Sequence, residues 1–136
     1  QRLHALTQHY EDMEFRKAAA ETRALWALGN EYLTRAAPWT KYKTDKETAA
    51  IGVRTGLNLV VLFAIIAQPL IPQTSGVILD GLGIPQDKRS WPNWQDQSLL
   101  DALPHNMEIA ALPVLFSKIE DEQVEAWLKH FGGTPT

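Results

Sequence analysis

The chain contains no cysteine. This absence excludes disulfide bonds and thiolate metal sites, and it favours an intracellular setting. The four histidines are scattered along the chain, without an H-E-x-x-H or similar ligand spacing: His4, His9, His105 and His130. We therefore expect no metal site and no bound cofactor in this chain.

Long apolar runs and targeting signals are also missing. The most apolar run, residues 59–67, is nine residues long, about half of the ~20 that a membrane-spanning helix needs. It therefore predicts a buried core helix. The chain begins with Gln1 and lacks the charged-then-apolar pattern of a signal peptide. We interpret it as a segment of a longer protein.

Catalytic motifs are absent from the sequence as well. There is no nucleophile elbow, and Gly81-x-Gly83 follows no predicted strand and has no third glycine, so it is typical of a helix cap rather than a phosphate loop. The acidic run at residues 120–122 fits a solvated helix start. A binding or positioning module fits this sequence better than a free-standing enzyme.

Charge is low but unevenly distributed. The 136 residues suit one domain, and a net charge of −3 argues against a protein that coats nucleic acid nonspecifically. Residues 1–54 carry nine Lys/Arg and seven Asp/Glu, whereas residues 55–136 carry four and nine. Any contact with a polyanion should therefore fall in the first half.

The spacing of apolar residues predicts an all-α fold, an antiparallel helical bundle over about residues 1–83. A short helix is predicted over 1–10 and a long amphipathic helix over 13–37, which Pro38 ends. Gly29 lies in the middle of the apolar stripe of the long helix. A glycine there is expected where a neighbouring helix crosses closely.

A second long helix is predicted over about residues 45–68. Thr44 and Glu47 match the S/T-x-x-E capping box at its start, and a proline follows its end. Arg54 and Asn58 are polar groups, one turn apart, on this mostly apolar helix. We expect them to meet solvent or to bond backbone at a crossing, with a functional role as the alternative.

The second half of the chain changes character. Pro72 starts a further helix that Gly81 or Gly83 ends, and residues 84–117 then form an irregular, proline-containing excursion. Trp91 and Trp94 are expected to anchor that excursion to the bundle.

A last helix over about residues 120–131 completes the prediction. Its start is expected near Glu120 or Asp121, because acidic residues favour the positive end of a helix. Four apolar residues are expected to form its buried face: Val124, Trp127, Leu128 and Phe131.

The segment Pro38-Trp39-Thr40-Lys41-Tyr42-Lys43 is the most informative part of the sequence. Trp39 is predicted to emerge at a helix-ending turn beside Lys41 and Lys43. One interpretation is that the ring fills a gap between two helices. The other is that it stacks on an unpaired base while the lysines contact phosphates.

Three segments, which follow one another in the same order as in the family, resemble the C-terminal anticodon-binding domain of methionyl-tRNA synthetases. These enzymes are class I aminoacyl-tRNA synthetases. Residues 27–39 match the pattern A-x-x-N-x-Y-x-x-x-x-x-P-W. Residues 69–72 match a closing P-x-x-P, and residues 113–120 resemble P-L-F-x-x-I-[DE]. The matches cover the chain from about residue 13 to residue 131, and the ordered set is more specific than any one of them.

The resemblance implies that this chain, residues 1–136, is one anticodon-binding helical domain. It implies that Trp39 stacks on the wobble cytosine of a CAU anticodon. An asparagine and an arginine that also contact the anticodon in the family lie on an earlier helix, so Asn30 and Arg35 are not assigned to those roles. The prediction that Lys41 and Lys43 contact phosphates comes from their charge and position alone.

The resemblance also implies properties of a longer parent. That parent would be a cytoplasmic methionine–tRNA ligase that uses ATP, with zinc as a further candidate in its catalytic part. The Rossmann catalytic domain and its H-I-G-H and K-M-S-K-S signatures are absent from these residues. In the family the last helix folds toward the catalytic half. An isolated piece could therefore expose an apolar patch and self-associate.

Two alternatives stay open at the level of sequence. The first is the helical anticodon-binding domain of a leucine, isoleucine or valine enzyme. The second is a helical protein-interaction domain that does not contact RNA.

Overall fold

The computed structural model describes residues 1–96, 98, 100–104 and 106–133. His105, one of the four histidines considered above, lies outside the described residues. In the described part the regular elements are helices: α1 (Arg2–Glu11), α2 (Phe15–Ala36), α3 (Pro38–Lys41), α4 (Lys46–Ala67), α5 (Pro72–Gly81) and α6 (Asp121–Phe131). A 3-10 turn follows α5 at Gln86–Lys88. The predicted all-α class, with its irregular excursion and last helix, is confirmed.

Helices α1, α2 and α4 share one part of the core. This apolar cluster contains Leu3, Leu6, Ala18, Leu62 and Ile66. The hydroxyl of Tyr10 donates a hydrogen bond to the Ile66 carbonyl, 3.2 Å away, which joins α1 to α4. Burial of the Tyr10 ring raises the pKa of its hydroxyl, so the group remains protonated and able to donate.

Helices α2 and α4 approach each other through two glycines. A Cβ added to Gly29 of α2 would lie 2.5 Å from the ring of Phe63, and one added to Gly56 of α4 would lie 2.7 Å from a methyl of Leu33. Each glycine thus leaves room for a large side chain of the facing helix. The close crossing predicted at Gly29 is confirmed.

The start of α4 differs from the prediction. Asp45, not Thr44, is the residue that caps the helix: its carboxylate accepts hydrogen bonds from the backbone N–H of Thr48 at 3.0 Å and from the Thr48 hydroxyl at 2.6 Å. These bonds, and less strongly the charge of Lys41, hold the pKa of Asp45 below its usual value. The Thr44 hydroxyl instead donates to the Lys41 carbonyl in the preceding turn.

Helix α4 is the central element of the fold. It packs against α2, α3 and α5, and a second apolar cluster joins it to α5 and the excursion: Val61, Ala64, Ile65, Leu79, Leu82, Ile84 and Leu103. In the described residues α4 is the helix whose length and composition alone would suit a membrane span, and half of that span is buried in the fold. Its position in the core accounts for its apolar character.

The excursion after α5 is anchored to α1 by its two tryptophans, as predicted. The indole N–H of Trp91 donates to the Thr7 hydroxyl at 2.9 Å, and its ring meets Tyr10 edge-on with centroids 5.4 Å apart. The ring of Trp94 lies 4.9 Å from that of His4. Gly83, at a φ of 66°, lets the chain turn out of α5 into this excursion.

Helix α6 begins where the sequence predicts it, but its burial was wrongly predicted. Glu120 caps the helix and Gln123 reaches back to the Glu120 backbone N–H, which completes a capping box. No residue of α6 is buried. The four apolar residues expected to face the core are exposed: Val124, Trp127, Leu128 and Phe131. Their helical periodicity is real, but none of the described residues covers them.

Candidate nucleic-acid interface

The corner between α2 and α3 is built by one left-handed residue. Ala37 has φ 41° and ψ 55°, and its N–H closes the last turn of α2 on the Leu33 carbonyl at 2.9 Å. Its own carbonyl then accepts from the N–H groups of Thr40 and Lys41 at 3.0 and 3.1 Å. The chain therefore does not simply leave the helix at Pro38 but starts a new one-turn helix.

Pro38 fixes this turn against α4. As the first residue of α3 it has no N–H to satisfy, and its ring is buried. Gly52 of α4 lies next to this ring: a Cβ added there would be 3.5 Å from the Cβ of Pro38, an ordinary van der Waals contact. The turn that carries Trp39 therefore packs against α4.

Trp39 projects from this turn into solvent. Its side chain is 62% exposed, so it does not fill a gap between helices. An exposed indole on a turn whose backbone is hydrogen-bonded is accessible for stacking on a base.

Trp39 lies at the edge of an open groove of about 730 Å³. Tyr42, which is 61% exposed, lines the same groove. The floor is formed by α4, including Ile51 and Arg54, and the opposite wall is part of the excursion, from Leu103 onward. These segments are far apart in the sequence and come together only in the folded chain.

The opposite wall is fastened to α4 by two polar residues. Asn58, 1% exposed, accepts a hydrogen bond from the Leu103 N–H at 3.0 Å and donates one to the Arg54 carbonyl at 3.0 Å. The Arg54 guanidinium donates to the Leu103 carbonyl at 3.2 Å and pairs with the carboxylate of Asp101. Arg54 and Asn58 therefore bond backbone, as predicted, but the backbone is that of the irregular excursion and not that of a crossing helix.

Positive charge surrounds the aromatic corner. Lys41 and Lys43 are exposed, and in the described part of the chain neither ammonium lies within ion-pair distance of a carboxylate. Lys46 is engaged with Tyr42, its Nζ lying 5.4 Å from the centre of that ring. The carboxylates of Asp45 and Glu47 reduce the net charge of this region but do not cover the lysines.

Two members of this site escaped the sequence prediction. Tyr42 stands in the segment Pro38–Lys43 without a predicted role, and Lys46 was not singled out. Pro38 at the first position of a helical turn was the available signal, because it places Trp39 and Tyr42, three residues apart, on one side. Asn30 and Arg35, left unassigned from the sequence, are exposed on α2 and do not line the groove.

The described residues contain no cluster of three His, Asp or Glu side chains that could hold a metal ion. The polar residues that line the groove beside the rings of Trp39 and Tyr42 are two cations, one carboxylate, one hydroxyl and one amide: Lys46, Arg54, Glu47, Thr55 and Asn106.

The chain is similar to known proteins along its whole length. A family model described as the anticodon binding domain of methionyl tRNA ligase matches residues 1–136. The chain is 62% identical over 136 residues to methionine–tRNA ligase of Maricaulis maris and 56% identical over 137 residues to that of Hyphomonas neptunium. It is 40% identical over 127 residues to the enzyme of Streptomyces avermitilis.

These alignments cover nearly all of this chain but little of the relatives. They include 99%, 98% and 93% of the chain, respectively. The chain spans about a quarter of the length of the curated relatives it matches, between 22% and 24% in these three.

Proposed function

Since the family model covers it from end to end, the chain belongs to the family of anticodon-binding domains of methionyl-tRNA ligase, and we propose that it binds the anticodon of tRNA for such an enzyme. The parent would be a cytoplasmic methionine–tRNA ligase. ATP, with zinc as a further candidate, would belong to its catalytic part, which supplies the chemistry of methionine activation.

One observation carries the proposal. Trp39 is 62% exposed on a turn whose backbone is fixed by a buried proline and by hydrogen bonds to Ala37. An exposed tryptophan leaves apolar ring surface in contact with water, which is unfavourable, and it contributes little to the stability of the core. The fixed backbone that carries the ring suits the binding of a planar ligand, because little conformational entropy of the turn is lost on binding.

We propose that Trp39 stacks on the wobble cytosine of a CAU anticodon. Stacking supplies affinity but little base identity, since every base has a π-face. Discrimination among anticodons would therefore need hydrogen bonds to the base edges, from other parts of the parent as well as from this chain. The leucine, isoleucine and valine alternatives are not retained, because the matching family is that of the methionyl enzyme.

The test is binding of an anticodon stem-loop RNA. We expect both the intact ligase and this chain at low salt to bind a stem-loop with the anticodon CAU, measured by fluorescence anisotropy. The intact ligase should prefer CAU to a loop with another first base, and the chain alone should discriminate less. Absence of binding by both proteins at low salt, where phosphate contacts are strongest, would favour a protein-interaction domain instead.

Lys41 and Lys43 are proposed to contact phosphates of the loop. The double substitution Lys41→Gln, Lys43→Gln should flatten the dependence of log K on log salt by about 1.4, the value for two contacts to a single strand. The control is Lys118→Gln, at a lysine just before α6 whose side chain is 82% exposed and pairs with Glu120 at 3.3 Å. An unchanged slope in the double variant would show that the two lysines do not contact the RNA.

The exposed apolar stripe of α6 is proposed to pack against the rest of the same polypeptide. In the isolated chain the same stripe would favour self-association, because contiguous exposed apolar surface marks interaction sites. Sedimentation velocity should then show a dimer that Phe131→Asp dissociates and Lys129→Asp, on the same helix, does not. A monomer at all concentrations would contradict self-association.

A further inference from the structure

The groove that starts at Trp39 contains a second exposed ring. Tyr42 is exposed to nearly the same extent as Trp39, and both residues line the groove of about 730 Å³. A volume of that size is within the range that encloses drug-sized ligands. It exceeds what a single base stacked on Trp39 would occupy.

Lys46 holds the Tyr42 ring in place. Its ammonium lies 5.4 Å from the ring centre, a cation–π contact that restrains the ring. The ring nevertheless remains 61% exposed, so much of it stays open to the groove. The same ammonium places a positive charge in the lining of the groove beside this ring.

The wall facing Tyr42 combines apolar and amide groups. Met107 and Ile109 supply apolar surface, and Asn106 contributes an exposed amide. Stacking on aromatic rings together with hydrogen bonds to base edges is how proteins read unpaired RNA bases. The hydrogen bonds of Asn58 and Arg54 keep this wall at a fixed distance from α4.

We propose that Tyr42 is a second stacking residue, which takes the adenine next to the wobble cytosine in CAU. This rests on the proposed function of Trp39. The occupant follows from the continuity of the groove with Trp39, from the ammonium of Lys46 beside the Tyr42 ring, and from the larger π-face of a purine.

The test uses a CAU stem-loop with 2-aminopurine in place of the middle adenine, bound to the intact ligase. Binding should quench the 2-aminopurine fluorescence, because the base stacks on an aromatic ring. Tyr42→Leu should abolish the quench at saturating protein and weaken binding about 5- to 150-fold, the range for one stacked base. Tyr42→Phe keeps the ring and should retain both the quench and the affinity.

Trp39→Ala separates the two sites. It should weaken binding but leave the 2-aminopurine quench intact at saturation, since Tyr42 is still present. Wild-type affinity and quenching in Tyr42→Leu would overturn the proposal while leaving the role of Trp39 standing. Failure of the unsubstituted ligase to bind the stem-loop would overturn both.

Discussion

Trp39→Ala is expected to weaken binding of the CAU stem-loop by about 1–3 kcal/mol, the loss of one base–aromatic stack. The free energy of unfolding should change by less than about 0.5 kcal/mol, as at most exposed positions. This separation follows from the 62% exposure of the ring. Anisotropy titrations and urea denaturation of the same preparations measure the two quantities.

Trp127→Ala is the matched control for this experiment. Trp127 lies on α6, is 47% exposed and does not line the groove. In the isolated chain its removal should leave RNA affinity unchanged. Equal RNA affinity in Trp39→Ala, together with a large loss of stability, would restore the interpretation of Trp39 as a packing residue.

Asn58→Ala is expected to destabilise the fold by about 1–3 kcal/mol. The substitution leaves the buried N–H of Leu103 without a partner, and an unpaired buried donor costs its full desolvation penalty. It also removes the bond to the Arg54 carbonyl. Urea denaturation measures the loss, and amide hydrogen exchange should show faster exchange at Leu103 specifically.

Asn30→Ala provides the comparison for Asn58→Ala. Asn30 is exposed on α2 and its side chain makes no hydrogen bond to any described residue. We expect a change within about 0.5 kcal/mol. Similar stabilities of the two variants, with Leu103 exchange unaltered, would mean that Asn58 does not hold the excursion.

The sequence was sufficient to predict those structural features whose cause lies within a few neighbouring residues. Pro72, Gly83 and Glu120 mark the ends of helices, and Gly29 predicted a close crossing from its place in an apolar stripe. The cap of α4 was misassigned because Thr44 and Asp45 are both good capping residues. Only the backbone angles at Asp45, φ −146° and ψ 90°, select the carboxylate.

The candidate site depended on contacts between segments far apart in sequence. Trp39 was identifiable because proline and tryptophan stand together at a helix end and match a family pattern. The groove wall at Leu103 could not be identified from the sequence, because the hydrogen bond that joins the Leu103 N–H to Asn58 spans 45 residues. The exposure of α6 was equally hidden, since an amphipathic helix has the same periodicity whether its partner is present or missing.

The sequence by itself determined the all-α class, the positions of all the helices except α3, the family resemblance and the choice of Trp39 as the candidate stacking residue. These depend on periodicity, proline and glycine, and ordered motifs, all of which are local. The tertiary structure decided that Trp39 is presented to solvent rather than packed, and that Tyr42 and Lys46 share its groove. The reason is physical: exposure and groove shape are set by which helices cross, and a crossing is a property of the folded chain.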